Sequence, residues 1–221
     1  MGELKIVDFK SSKLPENEVI RRILAGEKEL YEILMRRNNQ KLFRVLRGYM
    51  VDQSEIQDVM QDTYLQAYEK LWQYKQNAQF STWLIRIGIN KTLAQLNKKS
   101  KTQATEVISI SDNTTFEIKD EKQPGPEDKM MRKEAKEILE KAIDNLDEKY
   151  RGIYIMREVE GMSIAEISDC TDLSISNVKV RLHRAKNMIK EDLYKLSYSN
   201  ELFEFGFSKC DGLVERVLRR I

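Results

Sequence analysis

The 221 residues predict an all-α chain of two small helical domains. Three observations carry this. Apolar residues recur at helical spacing through most of the chain, and only three prolines and nine glycines interrupt it. The periodicity lapses once, over 102–128, in "TQATEVISISDNTTFEIKDEKQPGPED", which holds two of the prolines. A helical unit over 14–101, a flexible linker over 102–128, a second helical unit over 129–196 and a tail over 197–221 follow from that break.

Taken in order, "VIRRILAGEKELYEILMRRNNQKLFRVLRGYM" reads as two helices, the first starting at Pro15, with Gly26 and the polar "RRNNQ" as places for a break or bend. The next helix lies within Val51–Tyr74. Ile56, Val59, Met60, Thr63, Tyr64, Ala67 and Leu71 fall on one stripe, and Glu55, Asp58, Asp62 and Glu69 gather on the other side. Between Val51 and Glu69 no Lys or Arg occurs. An all-acid stripe is either a partner surface or a solvated face whose early acids favour the helix N-terminus.

After the polar "KQNAQ", the run Phe80–Lys101 contains no acid. Phe80, Trp83, Leu84, Ile87 and Ala94 share one face and Ile85, Ile89 and Leu96 another, with Arg86, Asn90, Lys91, Lys98, Lys99 and Lys101 spread between them. Aromatics beside cations suit base stacking and phosphate contact, and Trp83 at the rim of a core would serve both needs.

The most informative stretch is "MSIAEISDCTDLSISNVKVRLHRAKNMIK", Met162–Lys190. Ser163 as N-cap and Glu166 three residues later make a capping box for a first helix ending near Cys170. Ile164 and Ile167 face inward, Leu173 fills a turn, Ser174 caps a second helix, and Ile175, Val178 and Leu182 anchor it. Ser176, Asn177, Lys179, Val180, Arg181 and Arg184 are then left facing outward. Asn and Arg can make paired contacts to base edges, Val180 can touch a thymine methyl, and Lys with Ser can hold phosphates. The pattern is that of a helix-turn-helix with an acid-free reading face; a basic amphipathic helix ending a small bundle would show a similar one.

Charged residues make up 33% of the chain for a net charge of +2, so the distribution of charge matters more than its sum. No run reaches membrane-span length, and "MGELKIVDFKSSKLPE" lacks the apolar core of a signal peptide, so a cytoplasmic location is expected. Two cysteines, Cys170 and Cys210, and one His provide no ligand set for a metal, and both thiols read as ordinary buried or half-buried residues. No catalytic triad or phosphate-cradling glycine loop is present, so neither enzymatic activity nor a cofactor is expected.

Two stretches resemble bacterial RNA polymerase sigma factors of the sigma-70 family. "YRGIYIMREVEGMSIAEISDCTDLSISNVKVRLHRAKNMIKEDL" is similar to their region 4, and "DQSEIQDVMQDTYLQAYEKLWQY" with "FSTWLIRIGINKTLAQLNKKSK" to region 2. Two such regions and a short linker resemble the extracytoplasmic-function (ECF) group. The resemblance implies that Glu55, Asp58 and Asp62 contact core RNA polymerase, and that Trp83, Arg86, Asn90 and Lys91, with Tyr74, Lys75 and Asn77 of the preceding loop, capture the melted minus-ten strand of promoter DNA. It also implies that Ser174, Ser176, Asn177, Lys179, Val180, Arg181 and Arg184 read the minus-thirty-five duplex. The sequence leaves open whether an anti-sigma protein, the tail or the level of transcription controls activity; the tail reads first as completing the core of the second domain and otherwise as masking a DNA or polymerase surface.

Three departures stand out: Ser168 for the usual Ala, Asp172 for the usual turn Gly, and "NKKSK" for an arginine-rich helix end. Ser is nearly as small as Ala and Asp tolerates a left-handed backbone, so the turn is expected to survive. The alternatives from residues alone are a stand-alone helix-turn-helix regulator and an adaptor whose basic helix packs on an acidic partner.

Overall fold

In a computed structural model the residues described are 14–76, 78–103 and 126–197. The centre of the expected linker, residue Asn77, and the tail from 198 with Cys210 lie outside the described residues. Among the described residues there are helices and turns and no strand.

α1 (Glu16–Leu24) follows Pro15, opens with Glu16 and Glu18 and closes with Arg21 and Arg22, matching both ends of the helix dipole. Gly26, at φ +110°, ends it. α2 (Tyr31–Arg47) then continues unbroken through Arg36–Gln40, where the sequence suggested a break or bend. Asn38 explains the continuity: its buried amide donates to the Leu34 carbonyl at 2.8 Å, so the polar side chain is satisfied inside the helix.

α3 (Gln53–Glu69) is capped by Asp52, which accepts from the Glu55 N–H at 2.9 Å. It buries Ile56, Val59, Thr63, Tyr64 and Ala67, the stripe expected from spacing. α4 (Phe80–Gln103) buries Phe80, Leu84, Ile85 and Ile89 against α2 and α3 and leaves Trp83 half-buried at the rim. It extends to Gln103, and α5 (Pro126–Asp144) opens on Pro126, so both ends of the 102–128 segment are helical. Proline fits the first helical position because its missing N–H would have no partner there.

α6 (Glu148–Tyr154) continues into a π-turn at Ile155–Val159. α7 (Ile164–Thr171) and α8 (Ile175–Ser197) form the helix-turn-helix. The capping box is present as expected, Ser163 and Glu166 each accepting the other's backbone N–H. The Ser163 bonds, backbone then side chain, and a weaker one from Thr82 hold the Glu166 carboxyl below its ordinary value of 4.5. A carboxylate with a lowered folded value stabilises above its ordinary pKa and loses that contribution as the pH falls through the lowered one. Ser163→Ala should cost ~1 kcal/mol by thermal melting. Glu166→Gln should flatten the acid limb of the melting-temperature profile below pH 4.5.

The described residues fall into two compact units. One holds α1–α4 together with α6, α7 and α8 as far as Lys186; the other holds α5 to Asn145 and α8 from Asn187. In the second unit Ala142 and Ile189 are buried and the Asn145 amide donates to Asp192 at 3.3 Å.

Candidate nucleic-acid and partner interface

Residues at 58, 62, 65, 69 and 72 recur at alternating four- and three-residue spacing, which keeps them along one side of α3 and the 3-10 turn Leu71–Gln73 that follows it. Asp58, Asp62 and Glu69 are exposed there. Two apolar residues stand among them that the sequence reading passed over: Leu65, 56% exposed, and Trp72, 72% exposed. Their signal was present as an apolar pair seven residues apart on the acid side of an amphipathic helix. The third expected acid, Glu55, is half-buried and paired with Lys99 of α4, and Asp62 lies 3.9 Å from Lys91. The acid stripe of α3 is therefore partly answered by the cations of α4.

Between α3 and α4 lies an open groove of about 430 Å³ lined by Gln66, Lys70, Gln73, Trp83, Arg86, Ile87, Asn90, Lys91 and Ala94. Four expected strand-contact residues, Trp83, Arg86, Asn90 and Lys91, meet in it. Gln66, Lys70 and Gln73 come from α3 and its end, where spacing alone gave no sign of which face α4 would meet. The Trp83 ring is held by Tyr74 and Phe80, with centroid distances of 5.5 and 5.8 Å. Tyr74 is itself fixed by donating its hydroxyl to the Ala78 carbonyl at 2.6 Å, which pins the loop ahead of α4. Lys75 is exposed on this loop, and Asn77 lies outside the described residues.

In the helix-turn-helix, Asp172 occupies the left-handed region at φ +54°, as the turn demands. Ser168, in place of a smaller Ala, donates its hydroxyl to the Leu173 carbonyl at 2.5 Å across the turn. Both departures from the family pattern thus support the turn. Ser174 caps α8 by accepting the Asn177 N–H at 3.2 Å. Ser174, Ser176, Asn177, Lys179, Val180 and Arg184 are exposed, while Arg181 is half-buried and donates through Nε to Asn177 at 2.9 Å. Val178 and Ala185 are buried on the opposite side.

Ile175 is not the inward anchor that its spacing from Val178 predicted: it is 51% exposed. The reason is its place as first residue of α8. Side chains on a helix lean toward its N-terminus, so the first one projects beyond the helix end instead of onto the core. Ile175 therefore joins the outward group.

Cys170 is fully buried and donates to the Thr82 carbonyl at 3.3 Å, and burial pushes its thiol up to about 12. Among the described residues no cluster of His, Cys, Asp and Glu could hold a metal ion, and no helix is long and apolar enough to cross a membrane.

Residues 34–102 match the family model of sigma-70 region 2, and residues 136–189 that of sigma-70 region 4. The chain is 27% identical over 188 residues to the ECF RNA polymerase sigma-E factor of Haemophilus influenzae, covering 84% of this chain and 99% of that one. To the RNA polymerase sigma-H factor of Pseudomonas aeruginosa it is 27% identical over 185 residues, covering 82% and 95%. The fold is shared with the sigma factor RpoE of Bartonella quintana, solved with the anti-sigma factor NepR (TM-score 0.60, 19% identity, 74% of this chain and 96% of that one). It is also shared with CnrH, solved with the cytosolic domain of CnrY (TM-score 0.54, 19% identity, 81% and 97%). Two region matches in order, with relatives matched along nearly their whole length, place the chain in the ECF group of the sigma-70 family, as a sigma factor that binds core RNA polymerase and directs transcription initiation at promoters.

Proposed function

We propose a division of that task among particular residues. The observation that carries it is the convergence of Trp83, Arg86, Asn90 and Lys91 on one groove, an aromatic wall beside amides and cations. Residues 14–101 serve the polymerase and the melted strand. Asp58, Asp62 and, at the edge, Glu55 supply charge to the polymerase contact, and Leu65 with Trp72 supply its apolar centre. The groove takes unpaired minus-ten bases, so melting is driven by capture and no covalent step is asked of any side chain.

Residues 129–196 read the minus-thirty-five duplex through Ser174, Ser176, Asn177, Lys179, Val180, Arg181 and Arg184, with Ile175 added by its exposure. Arg181→Ala should weaken binding to the preferred upstream sequence by ~1–3 kcal/mol if it reads a guanine. An equal loss on unrelated duplexes in a competition assay would reduce it to a phosphate contact.

The chain acts where polymerase and promoter DNA are found, in the cytoplasm, and an anti-sigma protein is a candidate partner. A stand-alone duplex-binding regulator would leave the acid side of α3 and the Trp83 groove without a task. The deciding experiment is transcription by purified core polymerase on a library of promoter fragments, with and without this protein. Start-site-specific transcripts only in its presence support the assignment; their absence, with duplex binding retained, favours the regulator.

A further inference from the structure

We propose that residues 202–207 of the tail, "LFEFGF", lie along the apolar side of α5 and complete the core of the second compact unit. The proposal concerns how that unit is closed, and it holds whichever DNA element the helix-turn-helix reads.

The side in question is an apolar stripe covered at one end only. Ala135, Ile138, Leu139 and Ala142 recur at three- and four-residue spacing, so they share one side of α5. Lys133, Glu134, Lys136, Glu137, Glu140 and Lys141 take the opposite side by the same period, and Lys136 pairs there with Glu140 at 3.8 Å. Ala142 is fully buried. One turn earlier, Ile138 is 41% and Leu139 39% exposed, and Ala135 is exposed as well. From 133 to 141 no side chain is buried. A helix in water owes most of its stability to the packing of its apolar side, so a stretch that buries nothing calls for a further layer.

The tail fits that layer in reach, length and chemistry. Asn145 and Asp192 tie α5 to α8 at 3.3 Å, close to the C-terminal end of each. From this tie Leu139 is ~9 Å along α5 and Ser197 ~8 Å along α8, at ~1.5 Å per residue. The chain from Ser197 to Leu202 and Phe207 can span up to ~17 and ~34 Å, at ~3.4 Å per residue. Phe203, Phe205 and Phe207 alternate in the sequence. An extended run would present them on one side over ~14 Å, against ~11 Å of α5 from Ala135 to Ala142. The run carries one charge, Glu204, which the same alternation turns away from the phenylalanines. A second copy of the chain is the weaker occupant. Four side chains, two of them alanine, fall far short of the ~1,000 Å² that a stable association between free molecules needs. A tethered segment meets the same stripe at an effective concentration of about millimolar, so a small apolar contact is enough.

The consequence falls on α8. Its last turns, from Asn187, belong to the same unit as α5 and continue the helix that begins at Ile175 with the DNA-reading residues. A tail packed on α5 therefore buttresses the far end of the reading helix.

Two measurements on the full chain test this. The first places a photo-crosslinking residue on the stripe, as Leu139→p-benzoylphenylalanine, and maps the linked peptide by mass spectrometry. A link within one chain to 202–207 is expected. The second compares amide hydrogen exchange in the wild type and in a variant combining Phe203→Ser, Phe205→Ser and Phe207→Ser. Exchange over 135–142 should quicken at least about tenfold, while α3 and α4 keep their wild-type rates as a control for folding. A link between two chains would give the stripe to a second copy and overturn the proposal. A link to another segment, no link, or unchanged exchange in α5 overturns it equally. Should α3 and α4 also exchange faster in the triple variant, the crosslink, made with the tail intact, decides alone.

Discussion

Reversing Asp58 and Asp62 to Lys is expected to reduce capture of core polymerase by at least about a hundredfold, because like charges opposed across an interface cost several kcal/mol. The fold should not suffer. Both residues are exposed, and the pair that Asp62 makes with Lys91 at 3.9 Å has a side-chain exposure of 68% on the acid. Exposed pairs of that kind contribute ~0.2–1 kcal/mol. Circular dichroism and co-purification from a mixture with purified core polymerase check both halves. Capture at the wild-type level would move the polymerase contact away from the acid side of α3. Leu65→Ala offers an independent check, since it removes apolar area from the same side without touching charge.

Trp83→Ala carries the second large effect. Stacking of a base on an aromatic side chain is worth ~1–3 kcal/mol by alanine substitution, which corresponds to about a 5- to 150-fold loss of transcripts from a fully paired promoter. A template already unpaired over the minus-ten element has the melting cost removed, so it should recover most of that loss. Trp83→Phe keeps an aromatic face against Tyr74 and Phe80 and should retain most activity. Thermal melting separates a loss of capture from a loss of packing, because Trp83 is half-buried and its truncation also weakens the ring cluster. Equal transcription from wild type and Trp83→Ala on the paired template would remove Trp83 from strand capture and leave it a core residue.

The two changes act at different stages. The α3 reversal blocks loading onto polymerase before DNA is met, and Trp83→Ala acts only once the duplex begins to open. A salt titration checks the distinction: the charged polymerase contact should weaken as ionic strength rises, while the ratio of wild-type to Trp83→Ala activity, which isolates stacking, should change little.

Local sequence determined the parts whose cause is local. Ser163 with Glu166, Ser174 as a cap and the left-handed Asp172 were legible because capping and turn geometry depend on residues three or four apart. The inward stripes of α3 and α4 were legible for the same reason, since a 3.6-residue period states which side of a helix avoids water. What a period cannot state is which neighbour that side meets. Tertiary structure alone decided that Lys99 answers Glu55 and that Gln66, Lys70 and Gln73 complete the Trp83 groove. It also put Ile175 in solvent, where a helix end leaves its first side chain without a surface to cover. Above all it laid α7 on α4. That contact joins residues more than eighty positions apart, as in Arg86 with Asp172, and depends on two glycines, Gly48 and Gly152, whose meaning appears only when their backbones touch.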